Sequence, residues 1–151
     1  MIAVIDSGVA NLASVMAALG RLGAAAEVTA DASKIRAASR VILPGVGSAQ
    51  AAMAQLKAKN LIDVIRGLTQ PVLGICLGMQ LLFEGSEEGQ TAGQTLPCLG
   101  VIPGTVRRMQ ASPDMPARSS PVRHPRLLQH GLRVAERGRS SALCGRLCGL
   151  V

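Results

Sequence analysis

Apolar residues recur along this chain in two alternating rhythms, and the alternation predicts a fold class before any residue is read for chemistry. Met1 to Ile5 is a short apolar run closed by Asp6-Ser7-Gly8, the pattern of a buried strand stopped by turn residues. Leu12, Val15, Met16, Leu19 and Leu22 then each have a partner three or four residues away, the stripe of an amphipathic helix that Gly20 and Gly23 help to end. Ala24 to Ala30 is a second, weaker strand candidate, and Arg40-Val41-Ile42-Leu43-Pro44 a strong third, bounded by Pro44-Gly45-Val46-Gly47. Ala49, Ala52, Met53 and Leu56 lie on one helical face, and Leu61, Ile62, Val64, Ile65 and Leu68 make another. Pro71 to Cys76 returns to strand, Leu77 to Phe83 to helix, and Leu96 to Met109 reads as short extended segments separated by turns. Strands alternating with helices at this spacing predict an α/β domain with a doubly wound, mainly parallel sheet covered on both faces.

After Met109 the rhythm stops. Ser112-Pro113, Met115-Pro116, Ser120-Pro121 and His124-Pro125 break any regular element, and only Leu127 to Val134 offers one short helix. Charge divides at the same place. The 151 residues carry a formal charge of +7, which as a whole resembles a nucleic-acid or membrane-surface signal. Residues 1–110 hold nine Lys+Arg against seven Asp+Glu, whereas residues 111–151 hold seven Arg, no Lys and two acids. The basicity therefore belongs to the tail. It has no aromatic interleaving and no helical stripe, so nucleic-acid binding is not expected.

The single aromatic residue is Phe83, so the core is expected to be aliphatic. No segment reaches the roughly 18 apolar residues of a membrane-spanning helix, and no basic n-region precedes the apolar start, so a cytoplasmic protein without membrane contact is expected. Cys76, Cys98, Cys144 and Cys148 lack the spacing of a disulfide framework. Cys144 and Cys148 stand four apart, but with only His124 and His130 to join them a zinc site is not expected, nor any other metal or cofactor.

Ligands of doubly wound sheets bind beyond the carboxyl ends of the strands, which directs attention to residues 6–11, 44–48 and 74–78. Gly74-Ile75-Cys76-Leu77-Gly78 has the form G-x-C-x-G between a strand and a helix, the cysteine counterpart of the G-x-S-x-G nucleophile elbow. Flanking glycines would permit a tight, strained turn that exposes Cys76. Helix dipole and free backbone N–H groups would favour its thiolate, and the N–H of Leu77 would point at a developing oxyanion. A buried structural cysteine at a strand end is the alternative that five residues leave open. Pro44-Gly45-Val46-Gly47-Ser48 could bring a second N–H donor beside the nucleophile, or be an ordinary loop before a helix.

Gly74 to Leu82, G-I-C-L-G-M-Q-L-L, resembles the nucleophile motif of class I (triad-type) glutamine amidotransferases, enzymes that take ammonia from glutamine through a cysteinyl thioester. Pro44 to Ser48, with Ala52-Met53 after it, is similar more narrowly to the glutaminase subunits of imidazole glycerol phosphate synthase. Asp6 to Ser14 agrees with the D-Y-G-x-G-N-L-x-S start of those subunits except at Ser7 and Ala10, and Leu99 to Val106 also fits. The resemblance covers roughly residues 1–116. It implies Cys76 as the catalytic nucleophile, oxyanion donors at Leu77 and along Gly45, Val46 and Gly47, and Gly47 and Gln80 near the bound glutamine. The implied partner is a (β/α)8-barrel cyclase subunit that receives ammonia during histidine biosynthesis.

The resemblance also implies a base, a histidine held by glutamate in a His-Pro-Glu segment. Here His124-Pro125-Arg126 puts arginine where the carboxylate belongs, and arginine cannot accept the imidazole's hydrogen bond. It also comes before the strands that the family places ahead of that histidine. Glu136 is the only acid after His124, and nothing in the sequence sets it beside His124 or His130. The expectation is therefore a partial amidotransferase domain over residues 1–116, incomplete at its C-terminus, followed by an aberrant, frame-shifted Arg/Pro-rich tail over residues 117–151. A divergent but genuine tail is the alternative. Function divides likewise between a glutaminase subunit inactive as this chain and a non-catalytic α/β protein that keeps the scaffold to dock a partner.

Overall fold

The computed structural model describes residues 1–107 apart from Val9 and Ala92. The expected boundary near Pro116, the short helix from Leu127, His124, His130, Cys144 and Cys148 lie outside the described residues. Strand β1 (Ile2–Ile5) leads to α1 (Leu12–Arg21), β2 (Ala26–Thr29), α2 (Ala32–Ala37) and β3 (Arg40–Gly45). Then come α3 (Ala49–Ala58), α4 (Ile62–Arg66), β4 (Val72–Cys76) and α5 (Leu77–Leu81). Strands β5 (Phe83–Ser86), β6 (Leu96–Pro97) and β7 (Ile102–Val106) follow.

The first four strands form an all-parallel sheet in the order β2-β1-β3-β4. Parallel strands need helical crossovers, and the helices cover both faces, as the alternating pattern predicts. Residue parity divides the faces. Ala3, Ile5, Val41 and Leu43 pack against Ile35 of α2, Ala49, Ala52 and Leu56 of α3, Val64 and Ile65 of α4, and Leu77 and Leu81 of α5. Val4 and Ile42 face the other way, onto Leu19, Val15, Met16 and Leu12 of α1. The α1 stripe read from the sequence is thus used from Leu12 to Leu19, whereas Leu22, expected on it, caps the helix and is exposed. Beyond it, Leu73 and Ile75 of the edge strand β4 remain exposed at 45% and 37%.

Two elements differ from the expected pattern. Phe83 ends no helix but opens β5, which pairs antiparallel with β6 and parallel with β7 in a separate three-stranded sheet. Three of its four residues are buried, so it lacks the alternation that marks a half-buried strand. Helix α2, which no apolar stripe announces, is six residues long and starts at Asp31, whose carboxylate accepts from the N–H groups of Ser33 and Lys34. Arg66 of α4 ties the second sheet to the first by donating from Nε to the carbonyl of Leu99 at 2.8 Å and from a terminal nitrogen to that of Cys98 at 3.2 Å. Among the described residues no helix is long and apolar enough to cross a membrane.

Ser7, one of the two departures from the resembled start, is 1% exposed, and its hydroxyl has no hydrogen-bond partner among the described residues. A buried unpaired hydroxyl costs about 1–3 kcal/mol. Ser7→Ala is therefore expected to raise the unfolding free energy by about 1 kcal/mol in a urea titration; a loss of stability would show that the hydroxyl is paired in solution.

Candidate active site

At its carboxyl edge the parallel sheet changes winding direction, because β1 has β2 on one side and β3 on the other. That crevice is where open α/β sheets bind ligands. Around it lie the end of β1 with residues 6–11, the end of β3 with residues 45–48, and the junction of β4 with α5.

Cys76 is the last residue of β4 and the N-cap of α5, with φ +53° and ψ −118°. A residue with a Cβ avoids this region, at a cost of about 1–3 kcal/mol. The conformation turns the chain from strand to helix within one residue and leaves Cys76 exposed. The alternative of a buried structural cysteine is thereby removed for Cys76, whereas Cys98 fits it. Cys98 is 2% exposed, and burial, with Glu88 adding its charge, pushes its thiol above the ordinary range.

The flanking glycines have a different role from the expected one. Neither Gly74 nor Gly78 adopts positive φ; the strain sits in Cys76 itself. What Gly74 and Gly78 provide is the absence of a side chain. A Cβ on Gly74 would overlap Met79 and lie 2.6 Å from its nitrogen, and one on Gly78 would overlap the carbonyl of Leu43 and lie 2.7 Å from its carbon. The first turn of α5 therefore sits directly on the backbones of β4 and β3. Gly45 makes the same contact from the other side, since its Cβ would stand 2.8 Å from the nitrogen of Gly78 and 3.2 Å from the Cβ of Leu77.

Register sets the two candidate halves together. Gly45 is the β-sheet partner of Cys76 across β3 and β4, so residues 45–48 leave the sheet beside the elbow. Val46 and Gly47 are exposed there, Gly47 with φ +86° and open space around its Cα. Ser48 then caps α3, its hydroxyl accepting from the N–H of Ala51 at 3.3 Å. Leu77 is buried, and as the first residue of α5 its N–H has no acceptor within the helix. Gln80, half-buried, follows Cys76 by four residues and so stands one turn along α5. An exposed thiol at a helix start, beside Val46 and Gly47 whose N–H groups lie past the end of the β-ladder, is equipped for acyl transfer.

The third loop is held by a residue, Lys59, that no sequence motif singles out. Lys59, the C-cap of α3, contacts the Asp6 carboxylate at 3.0 Å and donates to the Asp6 carbonyl at 2.9 Å. The other carboxylate oxygen accepts from the N–H of Gly8 at 2.9 Å, where φ is +81°. The Lys59 ammonium, with help from the Gly8 N–H, holds the Asp6 carboxyl below its ordinary range. Asp6 and Lys59 are 53 residues apart, and no local signal links them.

Comparison with known proteins gives these features a family. The chain matches the family described as Glutamine amidotransferase class-I over residues 3–140. It is 56% identical over 108 residues to the imidazole glycerol phosphate synthase subunit HisH of Xanthomonas campestris pv. campestris, covering 72% of this chain and 52% of that protein. The HisH subunit of Xylella fastidiosa is 48% identical over 132 residues, covering 80% of this chain and 64% of its own length. HisH 2 of Legionella pneumophila is 52% identical over 124 residues, with 82% and 57% covered. The chain thus spans between about half and two thirds of the length of these relatives. A crystal structure of a glutamine amidotransferase superposes with a TM-score of 0.56 at 22% identity, over 71% of this chain and 56% of that one, a likeness of fold. Elbow, neighbouring loop and parallel sheet are therefore features of a known kind of protein, and this chain belongs to the class-I glutamine amidotransferase family.

Proposed function

We propose that this chain carries the nucleophile half of the glutaminase site in the ammonia-supplying subunit of imidazole glycerol phosphate synthase. The observation that carries the reading is the positive φ of Cys76 next to its β-sheet partner Gly45, because it presents an exposed thiol beside the loop in which Val46 and Gly47 leave the ladder. High identity to HisH subunits supports the assignment within the family. Cys76 Sγ attacks the side-chain carboxamide carbon of glutamine, and the C=O π pair moves onto oxygen. The N–H of Leu77 and an N–H from Gly45 to Gly47 receive that oxyanion. Collapse breaks the C–N bond, and ammonia leaves once it has gained the proton taken from the thiol. Water then cleaves the thioester, giving glutamate and the free thiol. Gln80 helps bind glutamine, and no cofactor takes part. A cyclase subunit of (β/α)8-barrel form would receive the ammonia in the cytoplasm.

Two proton transfers in this sequence need a base, and the family's histidine–glutamate pair has no counterpart in the 151 residues, where Arg126 follows His124-Pro125. As this polypeptide the protein is accordingly expected to bind glutamine and to expose its nucleophile but not to turn over.

A chloroketone analogue of glutamine tests the proposal without requiring turnover. At pH 9, where free thiols ionise, it is expected to alkylate Cys76, and saturating L-glutamine to slow that alkylation about tenfold, as peptide mass mapping would record. Equal rates with and without glutamine would refute it.

A further inference from the structure

The two loops that border the crevice are joined by one rigid element. Helix α3 begins at Ser48, directly after the Gly45-Val46-Gly47 stretch, and ends at Lys59, which grips the carbonyl and carboxylate of Asp6 at the end of β1. The helix itself is fixed to the sheet by Ala49, Ala52 and Leu56, all at 0% exposure. A second residue of α3, Gln55, lies one turn before Lys59 and faces Gly8, its side-chain oxygen 3.3 Å from where a Cβ on Gly8 would stand. The Lys59 clamp and the Gln55 side chain therefore both reach the same turn, Asp6 to Gly8. Past Gly45, which the β-ladder holds, Val46 and Gly47 have no comparable brace among the described residues: both are exposed, and nothing described lies within 4 Å of a Cβ on Gly47. Their position is set by β3 at one end and by α3 at the other.

Resting on the glutaminase reading above, we propose that Lys59 is a positioning residue for the oxyanion loop: by clamping Asp6 it locks the far end of α3 to β1 and so fixes where the near end holds Val46 and Gly47, which follow the ladder-bound Gly45 beside Cys76. Lys59 never meets glutamine; it acts through α3. The clamp uses a carboxylate and a carbonyl together, so a cation of the right reach is required and a hydrophobic side chain of similar length does not replace it. A loop displaced by a fraction of an ångström loses donor alignment with the substrate oxygen while leaving the thiol as accessible as before.

The test compares two alkylating agents on Cys76 in the full 151-residue chain at pH 9, with peptide mapping. The chloroketone analogue of glutamine needs its carbonyl seated on the oxyanion donors; iodoacetamide does not. Lys59→Met is expected to lower the chloroketone rate about tenfold with the iodoacetamide rate unchanged, and Lys59→Arg to restore it. If Lys59→Met does not fold, Asp6→Asn, which weakens the same clamp, is read in the same way. An unchanged chloroketone rate in a variant, while the unmodified chain is protected by L-glutamine, overturns this proposal and leaves the glutaminase reading standing. Equal slowing with both reagents, or no recovery with arginine, assigns Lys59 a merely structural role and also overturns it. Absence of glutamine protection in the unmodified chain removes the glutaminase reading, and this proposal falls with it.

Discussion

Gly78→Ala is expected to leave almost no folded protein, although it adds a single methyl group. The new Cβ would overlap the carbonyl oxygen of Leu43 and stand 2.7 Å and 3.1 Å from the carbonyl carbons of Leu43 and Pro44. All of these are backbone atoms of an interior strand, with Leu43 at 0% exposure, so no side chain can swing away. Relief would require α5 to lift from β3, uncovering Leu77 and Leu81 and separating the elbow from Gly45. Overpacking commonly costs about 1–3 kcal/mol where neighbours can adjust, and here the cost should exceed about 3. Against a typical total of about 5–15 kcal/mol that is enough to unfold a marginal domain. Gly20→Ala supplies the contrast. That glycine lies in α1 with nothing among the described residues within 4 Å of its Cβ position, so the same substitution should stabilise by about 1 kcal/mol through helix propensity. Urea unfolding followed by far-ultraviolet circular dichroism measures both. A Gly78→Ala protein within 1 kcal/mol of the parent would mean that α5 does not rest on β3 as described.

That contrast marks how far the sequence could be read. The helix stripe from Leu12 to Leu19 and the apolar runs of β1 and β3 are local signals, and each element appears where its period places it. The strand–G-x-C-x-G–helix order was enough to locate the elbow, since a turn from strand to helix is encoded within five residues. The reason for its glycines was not, because overlap with Leu43 exists only once β3 lies beside β4. Helix α2 escaped notice because six residues are too few to show a face, although Asp31 two and three residues before Ser33 and Lys34 is a capping signal. Strand β5 escaped for the opposite reason: Phe83, Gly85 and Ser86 are all buried, so no alternation exists, and its pairing with β7 shifts register between Phe83 and Gly85. The Asp6–Lys59 clamp joins positions 53 residues apart and has no signature in either neighbourhood.

The largest functional effect is expected from supplying the base that the proposed mechanism requires. A chimera of residues 1–107 with the remaining C-terminal portion of HisH from Xanthomonas campestris, which is 56% identical over 108 residues, would join the proposed nucleophile Cys76 and the 45–47 loop to a relative's C-terminal portion, where the proposal expects the base. General acid–base catalysis is worth about 10²–10⁴-fold, so the gain in turnover should be at least of that order. The residues on this side of the junction are already arranged: Cys76 is exposed and strained, Gly45 lies beside it, and α5 is seated on both strands.

Glutamate release from glutamine, assayed in the presence of the cyclase subunit, reads the outcome for three proteins: the 151-residue chain, the chimera, and the chimera with Cys76→Ala. The account predicts turnover by the chimera alone. Turnover by the chimera that survives Cys76→Ala, or by the 151-residue chain without the added portion, would contradict it.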